Sequence, residues 1–214
     1  KEIIAFSSQI GASKIALELG YEELKKNYYN FGFTKPISIN FPSSAFGYMN
    51  IKESVDDKEL ASLGYGYGIT ISPFQIASAY SVFANEGILK DFKLLKNQEV
   101  TSKQIISSDT ANHILDALRM VVKDGTGKAA NINGFSEGGK TGTVHQIKRG
   151  SGYAEDSYRA SFIGIAPLNT KSLTIFVSID EPGLNSYSGG AVAAPVFAKI
   201  AESSLNYLGY FQDE

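Results

Sequence analysis

The first third of the chain shows apolar residues at helical spacing. Between Ile10 and Leu19 they recur every three or four residues, and Gly20 follows the last of them. The same spacing continues from Tyr21 to Phe31. Residues three and four apart share one face of a helix, so both runs predict amphipathic helices with an apolar stripe. In the first helix the stripe consists of Ile10, Ala12, Ile15, Ala16 and Leu19.

The helical pattern stops between Thr34 and Gly68. Prolines, serines and glycines interrupt this stretch, and its last five residues, Gly64-Tyr65-Gly66-Tyr67-Gly68, lack the alternation of a strand. We predict a long surface loop here, a feature that is often functional in compact domains.

Two further helices have clear start signals. Ser72-Pro73-Phe74-Gln75 combines an N-cap serine, a proline at the first helical position and a glutamine that completes a capping box. Gly87 marks the end of that helix. Ser107-Ser108-Asp109 predicts the start of another helix, which continues to Asp124-Gly125 with its apolar residues facing inward.

The last third of the chain is predicted to be an antiparallel sheet followed by a helix. Strands are indicated at Gly138–Gln146, at Tyr158–Ala166 and from Leu173 to Ile179, where apolar and polar residues alternate. A polar connector (148–157) and a turn at Asn169-Thr170 join them into a meander. The final helix runs from about Ala191 to Leu208, with Pro195 in its first turn. Helices flanking an antiparallel sheet make an α+β fold.

Composition excludes several kinds of function. The chain has 214 residues, of which 43% are hydrophobic and 20% charged, an ordinary globular composition. A net charge of −2 gives no sign of a nucleic-acid-binding surface. The absence of cysteine excludes disulfides and thiol catalysis, and two histidines are too few for a multi-histidine metal centre, so we expect no metal or cofactor. No apolar run is long enough to cross a bilayer.

The strongest candidate for chemistry is Lys140-Thr141-Gly142-Thr143, which follows Gly138-Gly139. Polar residues this close together in sequence are seldom part of a hydrophobic core. A glycine in a strand marks a place where a ligand or another backbone comes close. Strand alternation places Thr141 and Thr143 on one side. We predict a strand edge that receives a small carboxylate, although an edge lysine also serves to prevent unwanted strand pairing.

Three other motifs have simpler explanations. Ser7-Ser8-Gln9 precedes the first helix, where a serine serves as N-cap. The stretch 124–129 resembles a phosphate-binding loop, but Val122 and Ala129 stand where that motif needs a glycine and a hydroxyl. A helix end followed by a turn is the better interpretation there. No carboxylate is placed to orient His145, which we interpret as a solvent-facing strand residue.

Taken together, these motifs resemble the transpeptidase domain of penicillin-binding proteins, most closely the class B members. That family carries Ser-x-x-Lys, Ser-x-Asn and Lys-Thr-Gly. Lys140-Thr141-Gly142-Thr143 matches the third motif, and Ser7-Ser8-Gln9 resembles the second. Further similarity lies, in family order, at 66–75, 125–130, 161–167 and 189–197. The resemblance spans nearly the whole chain and implies the α+β fold of penicillin-binding transpeptidases and serine β-lactamases, an antiparallel sheet flanked by helices.

The resemblance implies a D,D-transpeptidase that cross-links peptidoglycan. A serine would attack the D-Ala–D-Ala carbonyl of a stem peptide, and β-lactams would acylate the same serine. Ser7 would relay a proton and Lys140 would supply positive potential. Thr141 and Thr143 would bind the terminal carboxylate of the substrate. The backbone N–H of Thr143 would be one oxyanion donor.

The chain departs from the family pattern in two respects. No Ser-x-x-Lys occurs in the 214 residues. We therefore expect residues 1–214 to be the C-terminal portion of a single transpeptidase domain, lacking the N-terminal strands and the nucleophile helix, and inactive alone. The middle motif ends in Gln9 rather than Asn. By resemblance Gln9 and Gly142 belong with the substrate-binding residues, and the extra methylene of Gln9 changes its reach toward the peptide backbone of the substrate.

The resemblance also implies a location and partners. The intact protein would lie on the periplasmic face of the inner membrane, tethered by an N-terminal segment, and would work with a glycosyltransferase and other proteins of the divisome or elongasome. The alternatives are a non-catalytic module that binds peptidoglycan or β-lactams, a D,D-carboxypeptidase or serine β-lactamase, and an unrelated sugar- or anion-binding protein. The stretch 66–75 favours a transpeptidase over a carboxypeptidase or β-lactamase.

Overall fold

A computed structural model describes residues 1–34, 47–49, 52–148, 152–169, 171–183 and 186–210. The helices are α1 (Glu2–Ala5), α2 (Gln9–Leu19), α3 (Tyr21–Asn30), α4 (Asp57–Gly64), α5 (Pro73–Ala84), α6 (Ser108–Lys123) and α7 (Ala194–Tyr207). The strands are β1 (Tyr48–Met49), β2 (Ile69–Thr70), β3 (Ile88–Lys90), β4 (Ser102–Gln104), β5 (Gly138–Lys148), β6 (Gly152–Ala166) and β7 (Leu173–Asp180). Two compact units result, one of residues 1–7 with 113–214 and one of residues 8–112.

The unit of residues 8–112 is mainly helical, and α4 corrects the predicted surface loop. Asp56 caps this helix by accepting a hydrogen bond from the Glu59 N–H at 2.8 Å, and Leu60 and Leu63 are buried. The glycines and prolines around it hid a helix whose own start signal, an aspartate followed by a glutamate, is present in the sequence. Residues 35–46, the first part of the predicted loop, lie outside the described residues.

Helices α2 and α3 lie where the periodicity predicts them, but only the two alanines of the predicted apolar stripe, Ala12 and Ala16, face α4. Ala16 is buried, whereas Ile10 is 73% exposed and Ile15 is 53% exposed. The reason is the close packing of α2 on α4. A Cβ at Gly64 would lie 2.5 Å from the Ala16 Cβ, so only small side chains fit between the two helices.

The predicted capping box at the start of α5 is confirmed. The Ser72 hydroxyl accepts from the Gln75 N–H at 3.3 Å, and Gln75 Oε1 accepts from the Ser72 N–H at 2.9 Å. The same carboxamide accepts from the Gly47 N–H at 2.7 Å and donates to the Phe33 carbonyl at 3.2 Å. Gln75 is 1% exposed. The side chain that caps α5 therefore also links Phe33 with Gly47, which are distant from it in sequence.

The unit of residues 1–7 and 113–214 contains the predicted meander, with β5, β6 and β7 antiparallel in that order. One detail of the prediction is wrong, because 152–157 belong to β6 rather than to a polar connector. Polar residues are compatible with a strand when pairing with β5 supplies the backbone hydrogen bonds. Pairs such as Ile147 with Tyr153 extend the hairpin in this way.

The core of this unit lies between the sheet and α7. Phe162 of β6 and Phe197 of α7 are fully buried, with ring centroids 5.0 Å apart. The alternate residues of β7 predicted to be apolar, namely Leu173, Ile175, Val177 and Ile179, pack against this core. Pro195 lies in the first turn of α7, as predicted. The stretch 124–130 is a turn after α6 followed by a short 3-10 helix, Lys128–Ala130, which confirms the interpretation as a helix end.

Candidate active site

Strand β5 carries the lysine–threonine motif along the outside of the sheet. Among the described residues its sheet neighbour is β6, which places Gly142 opposite Ser161 and Thr143 opposite Ala160. The prediction of a strand edge is therefore confirmed. Gly142 is also approached by another backbone, because a Cβ at Gly189 would lie 2.5 Å from the Gly142 carbonyl oxygen. This close contact is the physical reason for a glycine at position 189, whereas a Cβ at Gly142 would lie 2.5 Å from the Ser161 hydroxyl oxygen.

Ser7 and Lys140 meet in this unit although 133 residues separate them in sequence. The Lys140 ammonium donates to Ser7 Oγ, to the Thr141 carbonyl at 3.1 Å and, more weakly, to Thr141 Oγ1 at 3.4 Å. Ser7 lies in the turn after α1 with φ of 53°, a left-handed conformation that costs free energy in a residue with a side chain. The turn thus holds the serine hydroxyl against the lysine.

Burial changes the acidity of Lys140. Removal of the amine from water penalises its charged form and lowers the pKa of Lys140 from 10.5 to about 8. At neutral pH the group is mainly a cation that attracts a carboxylate. With a pKa this close to neutrality, roughly a tenth of the amine is unprotonated at pH 7 and can accept the proton of the Ser7 hydroxyl.

The two threonine hydroxyls face neighbouring segments on one side of β5. Thr141 Oγ1 lies 2.8 Å from Thr126 Oγ1, in the turn after α6. Thr143 Oγ1 accepts from the Gly189 N–H at 3.0 Å. Sequence reasoning did not assign roles to Thr126 and Gly189, although the glycines in 125–127 and 189–190 were a signal of close backbone contact.

The two serines of Ser7-Ser8-Gln9 make different contacts. Ser8 caps α2, since its hydroxyl accepts from the Gly11 N–H at 3.1 Å. Ser7 contacts Lys140 instead, as the catalytic interpretation requires. Gln9 is the exposed first residue of α2 and belongs to the unit of residues 8–112. Its substrate contact stays a prediction, as do the roles of Ser7, Lys140, Thr141, Gly142 and Thr143.

A buried carboxylate missed by the sequence reasoning lies at the start of β5. Glu137 is 0% exposed and accepts from Arg119 of α6 at 2.6 Å, from the Asn131 side chain at 3.3 Å and from the Ile132 N–H at 3.3 Å. Burial raises the pKa of Glu137, and the Arg119 charge opposes that shift. Glu137 therefore anchors the strand three residues before Lys140.

His145 is not the solvent-facing residue that we predicted. It is half-buried, and its ring stacks on Tyr158 with centroids 4.5 Å apart, while Tyr158 stacks on Tyr187 at 4.2 Å. Pairing of β5 with β6 places His145 directly opposite Tyr158, so the contact depends on register rather than on neighbours in sequence.

Comparison with known proteins identifies the family. Residues 1–202 match the family model for the penicillin-binding protein transpeptidase domain. The chain belongs to this family. The resemblance stated from the motifs is thereby confirmed, and so is the α+β fold with an antiparallel sheet.

Two relatives place this transpeptidase-family chain within longer proteins. The probable peptidoglycan D,D-transpeptidase PbpC of Pseudomonas aeruginosa is 36% identical over 208 residues, which make up 96% of this chain and 37% of that protein. Stage V sporulation protein D of Bacillus subtilis is 35% identical over 221 residues, which make up 97% of this chain and 34% of that protein. The chain spans about a third of the length of these relatives.

Solved structures agree on the transpeptidase fold. The TP domain of Burkholderia pseudomallei penicillin-binding protein 3 is 35% identical with a TM-score of 0.89, over 99% of this chain and 65% of that chain. Penicillin-binding protein 3 of Mycobacterium tuberculosis, complexed with aztreonam, is 26% identical with a TM-score of 0.85, over 99% of this chain and 52% of that chain. The assignment of 1–214 to one portion of a single domain stays a prediction.

Proposed function

We propose that this chain supplies the lysine–threonine side of the active site of a peptidoglycan D,D-transpeptidase. The observation that carries the proposal is the contact of Ser7 Oγ with Lys140 Nζ, beside two threonine hydroxyls on one edge strand. The name of the Pseudomonas aeruginosa relative supports the same activity.

The proposed reaction proceeds in two steps, acylation of a serine and transfer of the acyl group to an amine. The hydroxyl of a serine in a Ser-x-x-Lys segment adds to the D-Ala–D-Ala carbonyl, the peptide C–N bond breaks, and D-Ala leaves with the proton. A neighbouring amine then attacks the acyl ester, a new amide bond forms, the ester C–O bond breaks, and the amine proton passes to the serine oxygen. Ser7 passes protons toward the leaving group, and Lys140, with a pKa of about 8, lowers the cost of that transfer.

The carboxylate of the departing D-Ala is proposed to bind at β5. Lys140 supplies the charge, Thr141 and Thr143 supply hydroxyls, and Gly142 leaves the edge of the strand open to the peptide. The backbone N–H of Thr143 is the proposed oxyanion donor from this chain, the second donor being the N–H of the nucleophilic serine. Loss of one such donor costs on the order of 10²–10³ in rate.

β-Lactams are proposed to bind at the same site, because they present a carboxylate and an acylating carbonyl in a comparable arrangement. The structure of the Mycobacterium tuberculosis relative complexed with aztreonam supports this proposal for a protein with the same fold.

The test is covalent labelling with a fluorescent penicillin. Residues 1–214 alone are expected to give no labelled band on a denaturing gel, because the chain contains no Ser-x-x-Lys. The full-length gene product, if it carries that motif, is expected to be labelled, and Ser7→Ala in that protein should slow labelling strongly. A labelled band from 1–214 alone would contradict the assignment of the nucleophile to another segment.

A non-catalytic module that binds peptidoglycan or β-lactams is the second candidate. It predicts that the gene encodes no Ser-x-x-Lys upstream of Lys1. The upstream coding sequence decides between the two candidates.

Location and partners are part of the proposal. In the described ranges no helix is long and apolar enough to span a bilayer. We place the intact protein at the periplasmic face of the inner membrane, held by a segment outside this chain, where a glycosyltransferase of the divisome or elongasome would supply glycan strands. Fractionation of cells followed by immunoblotting tests the location.

A further inference from the structure

Thr126 lies where three segments of the candidate active site meet. Its hydroxyl is 2.8 Å from the Thr141 hydroxyl. Its backbone N–H donates to the Ala5 carbonyl at 3.2 Å, two residues before Ser7. Its carbonyl is so close to Gly190 that a Cβ there would overlap it. One residue thus contacts the segment before Ser7, the strand of Lys140 and the segment after β7.

The glycines on both sides of Thr126 make these contacts possible. Any Cβ at Gly125 would overlap the Ala5 carbonyl, and a Cβ at Gly127 would lie 3.1 Å from the Phe162 ring. The Gly127 N–H also donates to the Val121 carbonyl at 2.9 Å. The turn is therefore held to the core, and the Thr126 hydroxyl has a defined position beside Thr141.

The hydroxyl pair can be arranged in two ways. Lys140 Nζ lies 3.4 Å from Thr141 Oγ1, and an ammonium group only donates, so Thr141 is the acceptor in that contact. Each threonine hydroxyl has a single proton. If Thr141 donates to Thr126, the Thr141 proton cannot be donated to a bound anion. If Thr126 donates to Thr141, the Thr141 proton is available to a bound anion.

We propose that Thr126 is a positioning residue for carboxylate recognition, whose hydroxyl donates to Thr141 Oγ1 and directs the Thr141 O–H toward the terminal carboxylate of a D-Ala–D-Ala peptide. This inference rests on the proposed function. A carboxylate only accepts hydrogen bonds, so a bound carboxylate selects the arrangement in which Thr141 donates to it. Thr126 acts through Thr141 and does not contact the substrate.

The test compares Thr126→Val, which removes the hydroxyl at nearly constant volume, with Thr126→Ser, which keeps it. The probes are diacetyl-lysyl-D-Ala-D-Ala and its C-terminal methyl ester, titrated against the full-length protein by NMR. Thr126→Val is expected to weaken binding of the free acid about fivefold to tenfold, the effect of one neutral hydrogen bond. Thr126→Ser should restore it, and binding of the ester should be alike in all three proteins.

Equal affinity of the wild type and Thr126→Val for the free acid would overturn the inference, whereas failure of the wild type to bind the free acid would count against the proposed function. A second measurement needs no ligand. The χ1-dependent couplings of Thr141 are expected to show one rotamer in the wild type and in Thr126→Ser, and averaging in Thr126→Val. Unchanged couplings in Thr126→Val would overturn the positioning role even if the proposed function fails.

Discussion

Lys140 carries an amine whose pKa is lowered to about 8 by burial, while its Nζ contacts the Ser7 hydroxyl. A lysine in water holds its proton far above neutral pH and cannot accept one from a hydroxyl. At neutral pH the partly buried Lys140 is still mainly a cation and attracts a carboxylate. Its lowered pKa also allows the amine to exchange a proton with a hydroxyl. The same burial opposes folding at neutral pH, because the charged form is the one that loses hydration.

We expect Lys140 to titrate with a midpoint of about 8, which the ¹³Cε shift of labelled lysine checks against a lysine peptide in the same buffer. Between pH 8 and 10.5 the unfolded chain holds this proton and the folded chain does not, so Lys140 makes the free energy of unfolding rise with pH in that window. Lys140→Met should therefore raise the free energy of unfolding most below pH 8, with a gain that shrinks toward pH 10.5.

Urea unfolding at several pH values measures this gain. Lys199→Met, at an exposed lysine of α7, controls for the loss of one positive charge. A difference between Lys140→Met and the wild type that does not change with pH would contradict the lowered pKa.

Helices α2 and α4 show how packing at the scale of elements overrides an apolar pattern. The predicted stripe of α2 contains both large and small apolar residues, yet only its alanines, Ala12 and Ala16, meet α4, because Gly64 allows the two backbones to approach closely. The Tyr28 hydroxyl donates to the Leu63 carbonyl at 2.6 Å, which holds the end of α4 to α3 as well.

Gly64→Ala is expected to lower the free energy of unfolding by roughly 1–3 kcal/mol, the usual cost of an added methyl group in a filled contact. Its Cβ would lie 2.5 Å from the Ala16 Cβ and 2.9 Å from the Ala12 carbonyl oxygen. Amide hydrogen exchange should speed up in α2 and α4. Gly183→Ala is the matched control, since a Cβ there meets nothing within 4 Å; equal effects of the two substitutions would refute the packing explanation.

Over the whole molecule, large apolar side chains stay exposed in both compact units. Ile10 of α2 is 73% exposed, and on α7 Ile200 is 44% and Tyr207 is 90% exposed. The others on these helices with more than a third of their surface exposed are Ile15, Leu17, Leu19 and Val196. Large apolar side chains exposed to water on a helix favour association with other apolar surfaces.

Residues 1–214 in isolation are therefore expected to bind the apolar dye ANS and to self-associate with rising concentration. The double variant Ile10→Gln with Ile200→Gln should lower both ANS fluorescence and the association seen in sedimentation velocity, without loss of helical circular dichroism, because glutamine forms helices at least as well as isoleucine. Glu18→Gln, at an exposed polar position of α2, should change neither. Undiminished ANS binding by the double variant would contradict the assignment of ANS binding to the exposed apolar residues of α2 and α7.

Local signals in the sequence were sufficient for most of the elements. Examples are the capping box at Ser72–Gln75, the helical spacing before Gly20 and the alternation in β7. Each of these patterns involves residues only a few positions apart in sequence, where local backbone geometry decides the structure. The order of family motifs added the fold and the candidate residues of the site. Helix α4 was missed because flanking glycines and prolines are stronger breakers than its short apolar pattern.

The sequence by itself thus determined the five longest helices, the meander and the lysine–threonine strand, because those depend on short-range backbone preferences. Only the tertiary structure decided that Ser7 contacts Lys140, that Thr126 pairs with Thr141 and that Glu137 lies buried against Arg119. These contacts join residues 133, 15 and 18 positions apart, and no local preference encodes them. The lowered pKa of Lys140 has the same origin, since it comes from the desolvation that packing imposes and not from the neighbours of Lys140 in sequence.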